Sequence, residues 1–120
     1  MSHELQVTFW GTRGSIPTPG RLTEKYGGNT TCVEVRCGDE LIFFDAGSGI
    51  RELGTSLLDR FGGKPLNASL LFTHLHWDHI QGFPFFTCTY IPSNKFTIYG
   101  EQRASGGVKE LLSGQMAGVY

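Results

Sequence analysis

Two short apolar runs constrain the fold most, because each breaks off on polar residues. Leu41-Ile42-Phe43-Phe44 stops at Asp45, and Ala68 to Thr73 leads directly into His74-Leu75-His76-Trp77-Asp78-His79. A strand that is apolar on both faces belongs inside a sheet, so an aspartate at its end is conspicuous. Polar side chains placed where a buried strand ends are held by the rigid sheet. The pattern therefore predicts a central sheet with its chemistry gathered at the strand ends.

Other segments fall into place around these runs. Leu5 to Trp10 reads as a first strand ending at Gly11, and Cys32 to Cys37 pairs with Leu41 to Asp45 as an antiparallel hairpin through Gly38-Asp39-Glu40. Gly11 to Thr31, rich in Gly and Pro, is an ordered loop of a length usually tied to function. Ser48 is placed to cap a helix whose Ile50, Leu53, Leu57, Leu58 and Phe61 share one face, and Gly62-Gly63 ends it. Phe96 to Tyr99 is a further strand and Ser105 to Met116 a weaker helix.

A length of 120 residues suits one domain, 1–120, with one core. Seventeen glycines favour a turn-rich α/β or α+β protein over long helices. Ten Lys and Arg against eleven Asp and Glu leave no basic excess of the kind strong nonspecific nucleic-acid binding needs. Cys32, Cys37 and Cys88 form no C-x-x-C pair and suggest neither a disulfide framework nor a zinc knuckle. Residues 1–20 contain no unbroken apolar stretch, so no membrane association is expected and a cytoplasmic location is the default.

Three histidines and an aspartate within six residues, in a chain with four histidines, point to metal binding. His74 and His76 are two apart, so an extended chain directs both imidazoles to one side, where they chelate one ion. Asp78 and His79 follow a turn and are expected to point elsewhere, toward a neighbouring second ion. Imidazole with carboxylate suits Zn²⁺, and Mn²⁺ and iron accept the same donors. His3, near the terminus, is given no role. Gly11-Thr12-Arg13-Gly14-Ser15 lacks the Gly-Lys-Ser/Thr ending of a phosphate-binding P-loop. Phe83-Pro84-Phe85-Phe86 reads as core packing beneath the motif more readily than as a substrate platform.

Thr73-His74-Leu75-His76-Trp77-Asp78-His79 after an apolar strand resembles the H-x-H-x-D-H signature of the metallo-β-lactamase fold superfamily. Phe9 to Pro17, then Gly28-Asn29-Thr30-Thr31-Cys32 and Phe43-Phe44-Asp45-Ala46-Gly47, looks like the branch that includes ribonuclease Z and related phosphodiesterases. The resemblance implies an α+β fold, an αββα sandwich with metals at one edge between two sheets. It implies His74 and His76 as ligands of one ion, Asp78 and His79 as ligands of another, and Asp78 also as proton acceptor. Asp45 would be a supporting group behind the ligands. The superfamily completes its site with a further histidine, a bridging aspartate and a last histidine, yet no histidine or aspartate follows His79 here. The chain thus reads as the N-terminal half of such a domain, truncated at its C-terminal end.

The function expected on this reading is a metal-dependent hydrolase. Two cations, Zn²⁺ first, would activate water against a phosphodiester, either a cyclic nucleotide or an RNA-like substrate. A thioester, lactone or amide is the competing substrate class, since the same metals serve any of them. A third reading takes the isolated chain as a non-catalytic fragment or metal-binding module. The partner expected is a small-molecule or nucleotide phosphodiester; the oligomeric state is left open, with a homodimer admitted.

Overall fold

A computed structural model describes residues 4–104 and 106–117, with Arg103 in backbone only. Its main sheet has five strands in the order β1-β2-β3-β4-β5: β1 (Leu5–Gly11), β2 (Cys32–Cys37), β3 (Glu40–Phe44), β4 (Asn67–Leu71) and β5 (Lys95–Tyr99). β1 to β3 run antiparallel, whereas β4 and β5 continue the sheet in parallel. The hairpin joining β2 to β3 turns at Gly38-Asp39, where Gly38 adopts φ 59° at no steric cost.

Helix α1 (Ile50–Phe61) makes the crossover from β3 to β4, as parallel neighbours require. The short α2 (Trp77–Ile80) and two 3-10 turns, Phe83–Phe85 and Thr87–Tyr90, lead from β4 to β5. A two-stranded ribbon of β6 (Gln102–Arg103) and β7 (Gly106–Gly107) precedes α3 (Val108–Met116). The α+β class expected from the sequence is the one observed. Among the described residues it consists of one mixed sheet with helices and this small ribbon. His3 and Ser105 lie outside the described residues.

The core fills one face of the sheet. Leu41, Phe43, Ala68 and Leu70 point into it, against Ile50, Leu53 and Leu57 of α1 and against Phe86, whose ring meets Phe43 edge-on at 6.1 Å. Burying the three helix side chains contributes on the order of 6 kcal/mol. Phe83 and Phe86 are core residues, as the aromatic run suggested, while Phe85 is half exposed. The opposite face carries Leu5, Val7 and Phe9 of β1, paired with Cys37, Val35 and Val33 of β2, and it is open: Leu5 is 62%, Val7 48% and Phe9 67% exposed.

Two sequence expectations for α1 are corrected. Ser48 does not cap it: the N-cap is Gly49, without a side-chain hydrogen bond. The Ser48 hydroxyl instead accepts from Thr30 N at 2.9 Å and donates to Asn29 Oδ1 at 3.0 Å, since a nearby loop offers it better partners than the helix terminus. Leu58 is not on the buried stripe. It is 45% exposed, one position beyond Leu57 and rotated toward solvent.

Candidate metal centre

The site is assembled where β3 and β4 end side by side. Asp45 leaves β3 with φ 68°, a left-handed conformation that aspartate tolerates better than most residues, and its N–H donates to Leu71 O at 2.8 Å. The following turn is fastened to the motif helix. Ala46 N donates to His79 O at 2.8 Å, and Gly82 N donates to Ala46 O at 2.9 Å. From the other side, Gly47 N donates to Thr31 O and Ser48 N to Thr30 Oγ1. Buried Thr30 also accepts from Gln81 Nε2 at 2.9 Å, so the Asn29-Thr30 stretch ties the long loop to both halves of the site.

On this scaffold the four motif side chains meet. The His74 ring centroid lies 4.6 Å from that of His76 and 3.9 Å from that of His79, and His79 Nε2 is 3.5 Å from Asp78 Oδ2. His74 and His76 do face the same side, as their spacing implied. Asp78 and His79 were expected to point apart from that pair. The single turn of α2 instead swings His79 back against His74, because residues at the start of a helix no longer follow the alternation of a strand.

Asp45, expected only as a supporting group, is buried at 3% exposure and fully engaged. Its Oδ1 accepts from Thr73 N at 2.9 Å, and its Oδ2 accepts from Thr73 Oγ1 at 2.8 Å and lies 3.0 Å from His79 Nδ1. Thr73 Oγ1 lies 3.1 Å from His74 Nδ1 and 3.4 Å from His79 Nδ1. Carboxylates that orient ligating imidazoles through the ring nitrogen away from the ion are the usual outer partners of such sites.

Two contributors were not foreseen. Thr73 ended the strand in the sequence reading without a function, and its position just before His74 was the available signal. For Ser15 the only signal was its place in the long ordered loop. Its backbone N–H, presented by a residue at φ 71°, donates to Asp78 Oδ2 at 3.0 Å across 63 positions of sequence. Burial pushes the Asp78 carboxyl up, but the Ser15 N–H, the neighbouring His79, its own backbone N–H and His74 outweigh that and hold it below its ordinary value of 3.8.

The donor set of three imidazoles and a carboxylate fits a borderline cation such as Zn²⁺. Nδ1 of His79 is committed to Asp45, which leaves Nε2 as its donor. Among the described residues no three such side chains already stand in coordination geometry. The rings of His74 and His79 pack on one another, their centroids 3.9 Å apart. Trp77, between His76 and Asp78, is 63% exposed and lies outside the buried core. No helix among the described residues is long and apolar enough to cross a membrane.

No protein-family model matches the chain. Among curated proteins it is similar to ribonucleases Z. That of Natronomonas pharaonis is 38% identical over 80 residues, 67% of this chain and 22% of the relative. That of Thermococcus kodakarensis is 33% identical over 114 residues, 91% of this chain and 32% of the relative. A third, from Pyrococcus horikoshii, is 30% identical over 114 residues, 91% and 33% of the two chains. The chain thus spans a third or less of the length of these relatives. A solved structure from Thermotoga maritima, provisionally described as a metallo-β-lactamase, is 28% identical and covers 82% of this chain and 44% of its own, with a TM-score of 0.47.

Proposed function

Because the chain belongs to the metallo-β-lactamase superfamily, we propose that His74, His76, Asp78 and His79 supply one share of a two-metal centre in a hydrolase that cleaves RNA phosphodiesters. The observation that carries this reading is the convergence of the four donors on a strand end braced by buried Asp45. The ribonuclease Z relatives favour an RNA ester over a cyclic nucleotide, and over a thioester, lactone or amide.

Held by these residues, a pair of Zn²⁺ ions would acidify a water molecule and polarise the scissile group. The chain's own residues do the positioning. Asp45 keeps His79 turned with Nε2 outward. Ser15 N–H occupies Asp78 Oδ2, leaving Oδ1 to take the proton of the attacking water. The long loop, closed on itself by the Arg13–Thr30 bridge, reaches Asp78 Oδ2 through Ser15, and its backbone N–H groups near that carboxylate can meet a phosphate.

The test is metal content together with turnover, measured on the chain and on any longer protein that contains it. We expect any such longer protein to hold about two Zn²⁺ and to cleave an RNA oligonucleotide in preference to a lactone or thioester. His76→Ala should lose metal and activity together. Full metal loading and turnover in His76→Ala would refute the assignment.

A further inference from the structure

A histidine ligand must offer the correct ring nitrogen to its ion, and the group bonded to the other nitrogen decides which one is offered. For His79 that group is Asp45. For His74 it is the hydroxyl of Thr73, a residue to which no role attaches in the proposed function.

Hydrogen counting fixes the direction of each bond around Thr73. Its hydroxyl has one proton and two lone pairs, whereas an aspartate carboxylate only accepts. Asp45 Oδ2 is 2.8 Å away, so the single Thr73 proton is spent there; the opposite arrangement would set two lone pairs against each other at that distance. What Thr73 Oγ1 presents to His74 Nδ1, 3.1 Å away, is therefore a lone pair, and His74 must donate. The carboxylate cannot swing away from this duty. Asp45 is buried, its Oδ1 is held by Thr73 N at 2.9 Å, and its own N–H is anchored on Leu71.

We infer that Thr73 is a positioning residue whose hydroxyl, relaying to Asp45, holds His74 with its proton on Nδ1 and its Nε2 lone pair free for a cation. One buried carboxylate then sets two imidazoles, His79 directly and His74 through a hydroxyl. The inference deepens the proposed metal centre and rests on it for its purpose, but the tautomer is a property of the chain without metal.

The experiment uses the whole 120-residue chain, ¹⁵N-labelled, stripped of metal and held at mildly alkaline pH, as wild type, Thr73→Val and Thr73→Ser. Long-range ¹H–¹⁵N correlation reads the His74 tautomer, and Zn²⁺ affinity is read by competition with a chromophoric chelator. Wild type should be predominantly Nδ1–H. Thr73→Val, which keeps shape and loses the hydroxyl, should shift His74 toward Nε2–H and weaken Zn²⁺ binding by about 10–100-fold, the usual effect of removing an outer partner. Thr73→Ser should restore both. A wild-type His74 found mainly as Nε2–H overturns the inference even if Thr73→Val fails to fold. So does a Thr73→Val chain with the wild-type ratio, or a Thr73→Ser chain that behaves like Thr73→Val. No Zn²⁺ binding by wild type, with His74 as Nδ1–H, would show that these four donors do not hold Zn²⁺ by themselves while upholding the relay.

Discussion

Gly47, the glycine two residues after Asp45, is where three segments of the site touch. A Cβ built on it would stand 2.5 Å from Thr30 Oγ1, 2.6 Å from the Thr30 carbonyl carbon and 2.6 Å from Asp78 O. Ordinary contact begins near 3.4 Å, so Gly47→Ala demands a movement of about 0.8 Å from backbone on two sides at once. Neither side gives way easily. Thr30 is buried and held by Ser48 and Gln81, and the helix bearing Asp78 is pinned through His79 O to Ala46 N. We expect a cost of about 3 kcal/mol, the upper part of the range for overpacking. That corresponds to a fall in Tm of about 12 °C for a chain of this length. Thermal unfolding followed by circular dichroism, with urea titration as a check, measures it. Gly114→Ala is the control: the same added methyl, inside α3 with open space around it, should stabilise by about 0.5–1 kcal/mol. A Gly47→Ala chain melting within about 3 °C of wild type would refute the reasoning, because less than about 1 kcal/mol of strain would then be present.

Other outcomes follow from the same contacts. Arg60→Ala leaves the carboxylate of Glu34, 3% exposed, with the Trp10 indole N–H as its one remaining partner among the described residues, and should cost roughly 3 kcal/mol as a broken buried ion pair; an unchanged urea midpoint would contradict this. Asp45→Asn turns an amide N–H toward donors whichever way it is placed, so it should destabilise by about 2–3 kcal/mol and weaken Zn²⁺ binding, which chelator competition would disprove if affinity held. Ellman's reagent should label one thiol per folded chain, Cys37, and all three after unfolding. Cys32 and Cys88 are buried, and burial, then the Asp45 and Glu34 charges, raise the Cys32 thiol far out of the reactive range. Rapid labelling of two thiols in the native chain would show that the core is not closed as described.

The elements were legible because periodicity is local. The alternation in Cys32–Cys37, the doubly apolar Leu41–Phe44 and the stripe Ile50, Leu53, Leu57 each announce their structure within a few residues. The side chains proposed as ligands could be picked out for the same reason, since His74 to His79 are contiguous. What stayed hidden was set by partners far along the chain. Nothing near Ser15 says that its N–H will meet Asp78, and nothing near Ser48 says that Asn29 and Thr30 will compete for its hydroxyl. Glu34 looks like a solvent-facing strand residue until Trp10 and Arg60 are brought onto it. The inward turn of His79 was hidden because a rule for strands does not hold at the third residue of a helix.

The bare side of the sheet has a practical corollary. Leu5, Val7 and Phe9 sit on an edge strand whose backbone on the outer side has no neighbouring strand among the described residues, and Tyr99 at the far edge is also half exposed. A greasy plane bounded by an open rim behaves in water like a surfactant: it adsorbs to plastic, binds hydrophobic dyes and stacks on its own kind as concentration rises. Light scattering against dilution, with and without mild detergent, should therefore accompany any assay performed on this polypeptide alone.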